Sequence, residues 1–314
     1  MGFKALEKIM PESNAWKAFY ERNKVAAYQT DSTKGTTPIY QEIPNLSAAK
    51  SAYGAIVYSK APSFLKQAEF YLGEKEFQTA VRSFLKKYEF KNATWQDLVT
   101  EFEFATKKDL KDWAKIWVTE KGLPIVRSSV NLKKRVKPIT YFDLNQKDVF
   151  GSSSVWKMRT KFIDRHSNND YIDSVLFEKA IYPDYLYYRN IIPPSLFIFP
   201  NYQDYGYGIF LLDEKSRNYI LANVQNEKDD FLRAMMYGSL WDSVREAELN
   251  PKDYVELVIK NVATEKDETI VASMLGRANT ALNYYLDDKT PNELSPKLEE
   301  ILINKDRKST RLNS

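Results

Sequence analysis

SAYGAIVYSKAPSFLKQAEFYLGE, residues 51–74, changes character in its middle. A small, weakly apolar stretch runs as far as Tyr58, and a helical pattern begins directly behind it. Ala61, Phe64, Leu65, Ala68, Tyr71 and Leu72 fall at i, i+3, i+4, i+7, i+10 and i+11, one face of a helix, and Gly73 offers a break. Tyr58 therefore stands at the mouth of a helix and not on its buried stripe. A buried tyrosine usually needs a partner for its hydroxyl, whereas one at a helix entrance can point its O–H into a cleft. A phenol, with an ordinary pKa near 10, stays protonated at neutral pH and can donate a hydrogen bond to a developing oxyanion. Spacing alone favours the packing role and leaves the chemical one open.

The helical texture continues on both sides of this stretch. Phe77, Val81, Phe84, Leu85 and Tyr88 make a second stripe of the same period. Thr94 is a natural N-cap with Asp97 three residues on, ahead of Trp95, Leu98 and Phe102. Leu110, Trp113 and Trp117 belong to a fourth helix, which Gly122 and Pro124 stop. From Leu123 to about Leu212 the period changes. VWKMRTKFI (155–163), SVLFEKAI (174–181), SLFIF (195–199) and YGIFLL (207–212) are short β-rich runs separated by turn clusters such as GSSS (151–154) and RHSNND (165–170). Strands at this spacing predict a small antiparallel sandwich. From Ser216 the chain is helical again. Phe231, Met235 (or Ala234), Leu240 (or Gly238), Trp241 and Val244 approximate one stripe, and Asn250-Pro251 pairs a cap with a first-turn proline. Further helices are predicted near 251–264, 267–287 and 293–304, packed as antiparallel neighbours across short loops.

Composition narrows the chemistry. The 314 residues are 43% hydrophobic and 28% charged, enough for two or three globular domains with a sizeable core. No apolar run approaches the ~18 residues of a membrane span, and GFKALEKIMPES after Met1 lacks the pattern of a signal peptide. Cysteine is absent, which excludes disulfides and thiolate chemistry. His166 is the only histidine, so neither an H-E-x-x-H zinc helix nor any two-histidine site can be assembled from this chain. His166 itself lies in a polar turn and is expected to be an exposed loop residue without a role.

The net charge of +4 hints weakly at an anionic partner, and half of it sits in the last nine residues, DRKSTRLNS. That tail resembles the translation of a common sequencing adaptor and is expected to be non-native. KKRVK (133–137) lacks interleaved aromatics and reads as a solvated strand edge, so no nucleic-acid partner is expected. PNYQDYGYG (200–208) reads as a loop whose tyrosines pack on the sandwich.

YSKAPSFL (58–65), YLGEKEF (71–77), FLKKYEFKNATWQDL (84–98) and DLKDWAKIWVTEKGLP (109–124), in that order, resemble the aminopeptidase N-like zinc metallopeptidases, the gluzincins. LEKIMPESNAWKAF (6–19) is similar to the segment that follows the family's last zinc ligand. PSLFIFPNYQDYGYGIFLLDEKS (194–216) and FLRAMMYGSLWDSVREAEL (231–249) resemble its β-module end and the entry to its C-terminal helical domain. The resemblance spans roughly residues 5–290.

It implies a multidomain α and β chain: the C-terminal helical part of a thermolysin-like catalytic domain (1–121), a small antiparallel β-sandwich (122–215), the start of a truncated, superhelix-like helical domain (216–305) and the non-native tail (306–314). It also implies a role for Tyr58, which matches the tyrosine of the family's Y-x-K-G motif, a donor to the tetrahedral intermediate at the scissile carbonyl. Lys60 matches the motif lysine and is expected to be structural; Tyr53 matches, more weakly, a tyrosine lining the substrate pocket of one branch. Two departures stand out. Ala61, followed by Pro62, replaces the motif glycine, which a helix's first turn tolerates. TTPI (36–39) stands where many relatives carry a histidine before the proline. The zinc ligands and general base of the family precede the stretch that Met1 begins. The expected parent is thus a zinc aminopeptidase acting on peptide N-termini, with this chain alone binding no metal and inactive. The alternative is a noncatalytic scaffold of the same architecture, which sequence upstream of Met1 would separate from the enzyme.

Overall fold

The computed structural model describes residues 2–133, 139–178, 181–184 and 195–312. Helices occupy both ends of the chain and antiparallel strands the middle. The first helical run comprises α1 (Gly2–Ile9), α2 (Ala15–Phe19), α3 (Val25–Asp31), α4 (Leu46–Ala52), α5 (Ala61–Leu72), α6 (Glu74–Lys87), α7 (Trp95–Thr106) and α8 (Lys111–Thr119). The strands are β1 (Pro124–Lys133), β2 (Ile139–Asp148), β3 (Met158–Arg165), β4 (Asp170–Phe177), β5 (Ile181–Asp184), β6 (Phe197–Tyr202) and β7 (Ile209–Leu211). After them come α9 (Glu214–Asn223), α10 (Asp230–Arg245), α11 (Pro251–Asn261), α12 (Glu268–Tyr284) and α13 (Thr290–Leu312).

Two compact units divide this chain. One is Arg22–Phe210; the other joins Met1–Glu21 to Leu211–Ser314. Within the first, the strands form two antiparallel sheets, ordered β5-β2-β1-β7 and β4-β3-β6. β1 and β2 pair from Pro124↔Asp148 to Lys133↔Ile139, and a bulge at Lys161/Phe162 bends β3 against β6. Phe142 of β2 lies 5.7 Å from Phe162 of β3, so the two small sheets touch through these rings. The helical core of this unit is aromatic. Phe64 packs on Trp113 and Trp117, and Trp117 meets Trp156 edge-on at 5.5 Å.

Local signals explain the boundaries. Thr94 and Asp97 form a reciprocal capping box at the start of α7. Asn250 caps α11 through Lys252 N at 2.9 Å, with Pro251 in the first turn. Three expectations need correction. Leu85 is not on the buried stripe of α6; Ala80 is, and Leu85 is 63% exposed. α10 is not amphipathic: Leu232, Ala234, Met236, Tyr237, Ser239, Leu240 and Ser243 are buried on nearly all sides. His166 is buried, because the β3–β4 hairpin turns its ring inward, Nε2 lying 3.2 Å from Asp164 Oδ2. The KKRVK run leaves β1 at Lys133, and residues 134–137 lie outside the described residues.

In the second unit the N-terminal segment is tied in by charge. Lys17 pairs with Asp230 at 3.2 Å and with Asp267, while Thr269 Oγ1 donates to Glu21. Tyr20 lies against Phe231, ring centroids 6.1 Å apart.

Candidate active site

Tyr58 belongs to a π-helical turn, Ile56–Lys60, that feeds directly into α5. Single π turns are frequent at functional sites, because the wider turn re-aims side chains. Tyr58 N donates to Gly54 O at 3.1 Å, closing the turn. Ala61 and Pro62 sit in the first turn of α5, where a missing N–H has no intrahelical partner.

The two ends of this turn face different environments. Lys60 is fully buried: Nζ lies 2.9 Å from Asp31 Oδ2, donates to Gly122 O at 2.7 Å and to Glu120 O at 3.2 Å, and sits over the Trp156 ring at 4.7 Å. Burial pushes its pKa down, with Asp31 opposing. Asp31 is itself saturated, accepting from Thr36 Oγ1 at 2.8 Å, Gly122 N at 2.9 Å and Tyr207 Oη at 3.1 Å. Burial, followed by the Asp31 charge, raises the Tyr207 phenol well above its ordinary pKa. Lys60 is therefore a structural anchor.

Tyr58, two residues earlier, is 60% exposed, and among the described residues its hydroxyl has no hydrogen-bond partner. Tyr53, just past the end of α4, is 63% exposed and stacks on it, centroids 6.0 Å apart and planes 29° apart. The two tyrosines singled out from the sequence thus meet, presenting an outward phenol on a turn anchored from beneath.

The supporting polar groups gave almost no sequence signal. A second π turn, Tyr20–Lys24, delivers Lys24 to Asp204 Oδ1 at 2.7 Å and Gly206 O at 2.6 Å. Lys66 donates to the carbonyls of Gln203 and Asp204, and Gln67 bridges Arg159 and Tyr205. The 200–208 loop therefore docks on the helices through its carbonyls and Asp204. Tyr205 and Tyr207 do the same, contrary to the expectation that the loop's tyrosines pack on the sandwich: Tyr205 stacks on Phe70, and Tyr207 lies against Tyr28 and Trp117. The one available hint was polarity: Ser63, Lys66 and Gln67 share the α5 face opposite the apolar stripe and are buried too. No group of three His, Cys, Asp or Glu side chains among the described residues could hold a metal ion.

Comparison with known proteins agrees with this arrangement. Residues 1–117 match the Peptidase family M1 domain, and residues 197–305 match the ERAP1-like C-terminal domain. Aminopeptidase N of Streptomyces lividans is 26% identical over 87% of this chain and 33% of its own length. Leucyl aminopeptidase of Saccharolobus solfataricus is 31% identical over 43% of this chain and 17% of its own length. Puromycin-sensitive aminopeptidase of Caenorhabditis elegans is 29% identical over 38% and 13%. These matches support an aminopeptidase N-like protein of the M1 metallopeptidase class, matched over two separate segments of the chain. It spans at most a third of the length of these relatives.

Proposed function

We propose that this chain supplies the oxyanion-stabilising tyrosine of an aminopeptidase that removes residues from peptide N-termini. The observation that carries the reading is the Tyr58 hydroxyl, exposed and without a partner among the described residues, on a turn whose next-but-one residue is locked into the Asp31 cluster. A donor held in this way needs little reorganisation when charge develops on a carbonyl oxygen, which is the condition for transition-state stabilisation. Tyr53, stacked on the same ring, limits its rotation and lines the approach. The phenol O–H donates a hydrogen bond to the oxyanion formed at the scissile carbonyl.

The family implies zinc, and the residues of this chain do not fit it. The only histidine is buried against Asp164, cysteine is absent, and no suitable cluster exists among the described residues. The part of the reaction assigned to this chain is confined to Tyr58 and its supports. The chain by itself is accordingly proposed to turn over no substrate. Chain alone and whole enzyme, assayed on an aminoacyl nitroanilide, test this together with Tyr58→Phe. Turnover by the chain alone, or an unimpaired Tyr58→Phe enzyme, would refute it.

A further inference from the structure

Far along the chain from Tyr58, within the unit that carries the C-terminal helices, a cavity of about 160 Å³ lies between α10, the end of α11 and the loop leading to α12. Arg233, Tyr237, Asn261, Glu265 and Lys266 line it. Its hydrogen-bonding balance is one-sided. Glu265 is already occupied: Oε2 accepts from Arg233 Nε at 2.8 Å, and Oε1 accepts from Arg233 Nη2 at 3.1 Å, Lys266 N at 2.9 Å and Asp267 N at 3.0 Å. Arg233 Nη1 donates to Glu227 O at 2.8 Å, which leaves two of its five N–H groups unspent. Among the described residues, Tyr237 Oη and Asn261 Nδ2 are buried and make no hydrogen bond of normal geometry. Burial raises the Tyr237 phenol above its ordinary pKa, with the neighbouring Asn261 side chain opposing.

Buried donors without acceptors are costly and rare in native proteins. Here the Tyr237 hydroxyl and the Asn261 amide share one cavity with only a poorly aligned contact to each other, which leaves the Tyr237 O–H without an acceptor, beside an arginine with donors to spare. The lining charges, Arg233 and Lys266 against Glu265, leave one positive charge in excess. We propose that this cavity binds a small carboxylate, whose oxygens accept from Tyr237 and Asn261 and whose charge offsets that excess. The space equals roughly five water volumes, ample for acetate. A polar cavity of this size can also hold solvent only, so the test must separate an anion site from a wet pocket.

The 314-residue chain is melted while chloride is exchanged for acetate at constant ionic strength and neutral pH. A saturable rise in Tm with acetate, and none with the isosteric but uncharged acetamide, is expected. Tyr237→Phe and Asn261→Leu should each weaken the acetate midpoint by about tenfold or more, the loss of one hydrogen bond to a charged group. Nuclear Overhauser contacts between acetate methyl protons and the Tyr237 ring, measured on the unaltered chain, give a readout that does not depend on either variant folding. No saturable rise, a rise shared by acetamide or by both variants, or no contact to Tyr237 would each overturn the proposal and leave a cavity holding solvent only.

Discussion

At the scale of single residues, Tyr58 and Lys60 lie two positions apart and do opposite things. The motif lysine is buried in an ion pair, while the tyrosine is held out from the body of its own unit. This divides the consequences of mutation cleanly. In the whole enzyme, Tyr58→Phe keeps the ring and its stacking on Tyr53 and removes only the hydroxyl. Stability should hold while kcat falls by about 100- to 1000-fold, some 3–4 kcal/mol. KM should change little, because the bond matters chiefly once charge develops. Tyr53→Phe is the internal comparison and should cost far less; equal losses at the two positions would assign the role wrongly. Lys60→Met acts through stability instead. It leaves the Asp31 charge buried, for which a loss of roughly 3–5 kcal/mol is usual. The low end is expected, since Asp31 keeps three other donors. A urea-unfolding loss below about 1 kcal/mol would show that the pair is not an anchor. Sequence singled out Tyr58 as a candidate, because a motif and a helix entrance coincide there. Asp31, Lys24 and Asp204 were illegible, because a charged residue reads as exposed until its distant partner is known.

At the scale of elements, periodicity located helices well and judged their faces less well. α10 was read as one stripe but is packed on nearly every side, and its Gly238 shows why. A Cβ built there would run into the Tyr20 hydroxyl. Gly238→Ala should therefore destabilise, even though alanine is the better helix former by about 1 kcal/mol. Overpacking typically costs about 1–3 kcal/mol, and the pairing Gly238→Ala with Tyr20→Phe should recover part of it. An alanine variant that melts higher than the parent would contradict this packing. The same helices carry two carboxylates with opposite pH behaviour. Burial raises Asp242 to about 6, with Arg245 and Arg277 opposing. Burial also pushes Asp267 upward, but hydrogen bonds from Lys17, Thr269 and Ile270 N outweigh it and bring it to about 2. Folding thus favours protonated Asp242, so its contribution improves as pH falls from about 6 to the ordinary aspartate value of 3.8 and is lost as pH rises through about 6. Asp267 stabilises above the ordinary aspartate range, and that contribution is lost as pH falls toward about 2. Asp242→Asn should accordingly stabilise at neutral pH, on the order of 1 kcal/mol after allowing for the 18% exposure of the side chain. The gain should shrink as pH falls below about 6 and vanish below the ordinary aspartate value of 3.8. A gain independent of pH would mean that desolvation of the charge is not its source.

At the scale of the whole molecule, the order of helices, antiparallel sheets and helices was legible because each run keeps one period throughout. The compact units were not. Residues 1–21 cluster with residues 211–314, and that association depends on Lys17, Tyr20 and Glu21 meeting residues more than 200 positions away. No local pattern encodes such a partner. The backbone of α13 runs on to Leu312, while its last described anchor is Lys305, whose Nζ donates to Val262 O at 2.7 Å and Glu265 O at 2.9 Å. The side chains of the 306–314 tail lie outside the described residues. If the tail is non-native, deleting it should change stability by less than about 0.5 kcal/mol, whereas Lys305→Ala should cost more, because two carbonyls lose their donor. A larger loss from the deletion than from the point change would place the tail in the fold.

Metal content tests the functional reading at the same scale. A tight zinc site needs three or four Cys, His or carboxylate ligands converging at about 2.0–2.3 Å. With one histidine, itself packed against Asp164, and no cysteine, this chain can offer only carboxylates and water. Zinc added to the chain and dialysed against buffer should therefore be retained far below one equivalent, and saturating zinc should leave Tm unchanged. One tightly held zinc per chain, with a matching rise in Tm, would mean that this chain builds a metal centre of its own, and Tyr58 would have to be reconsidered in relation to it.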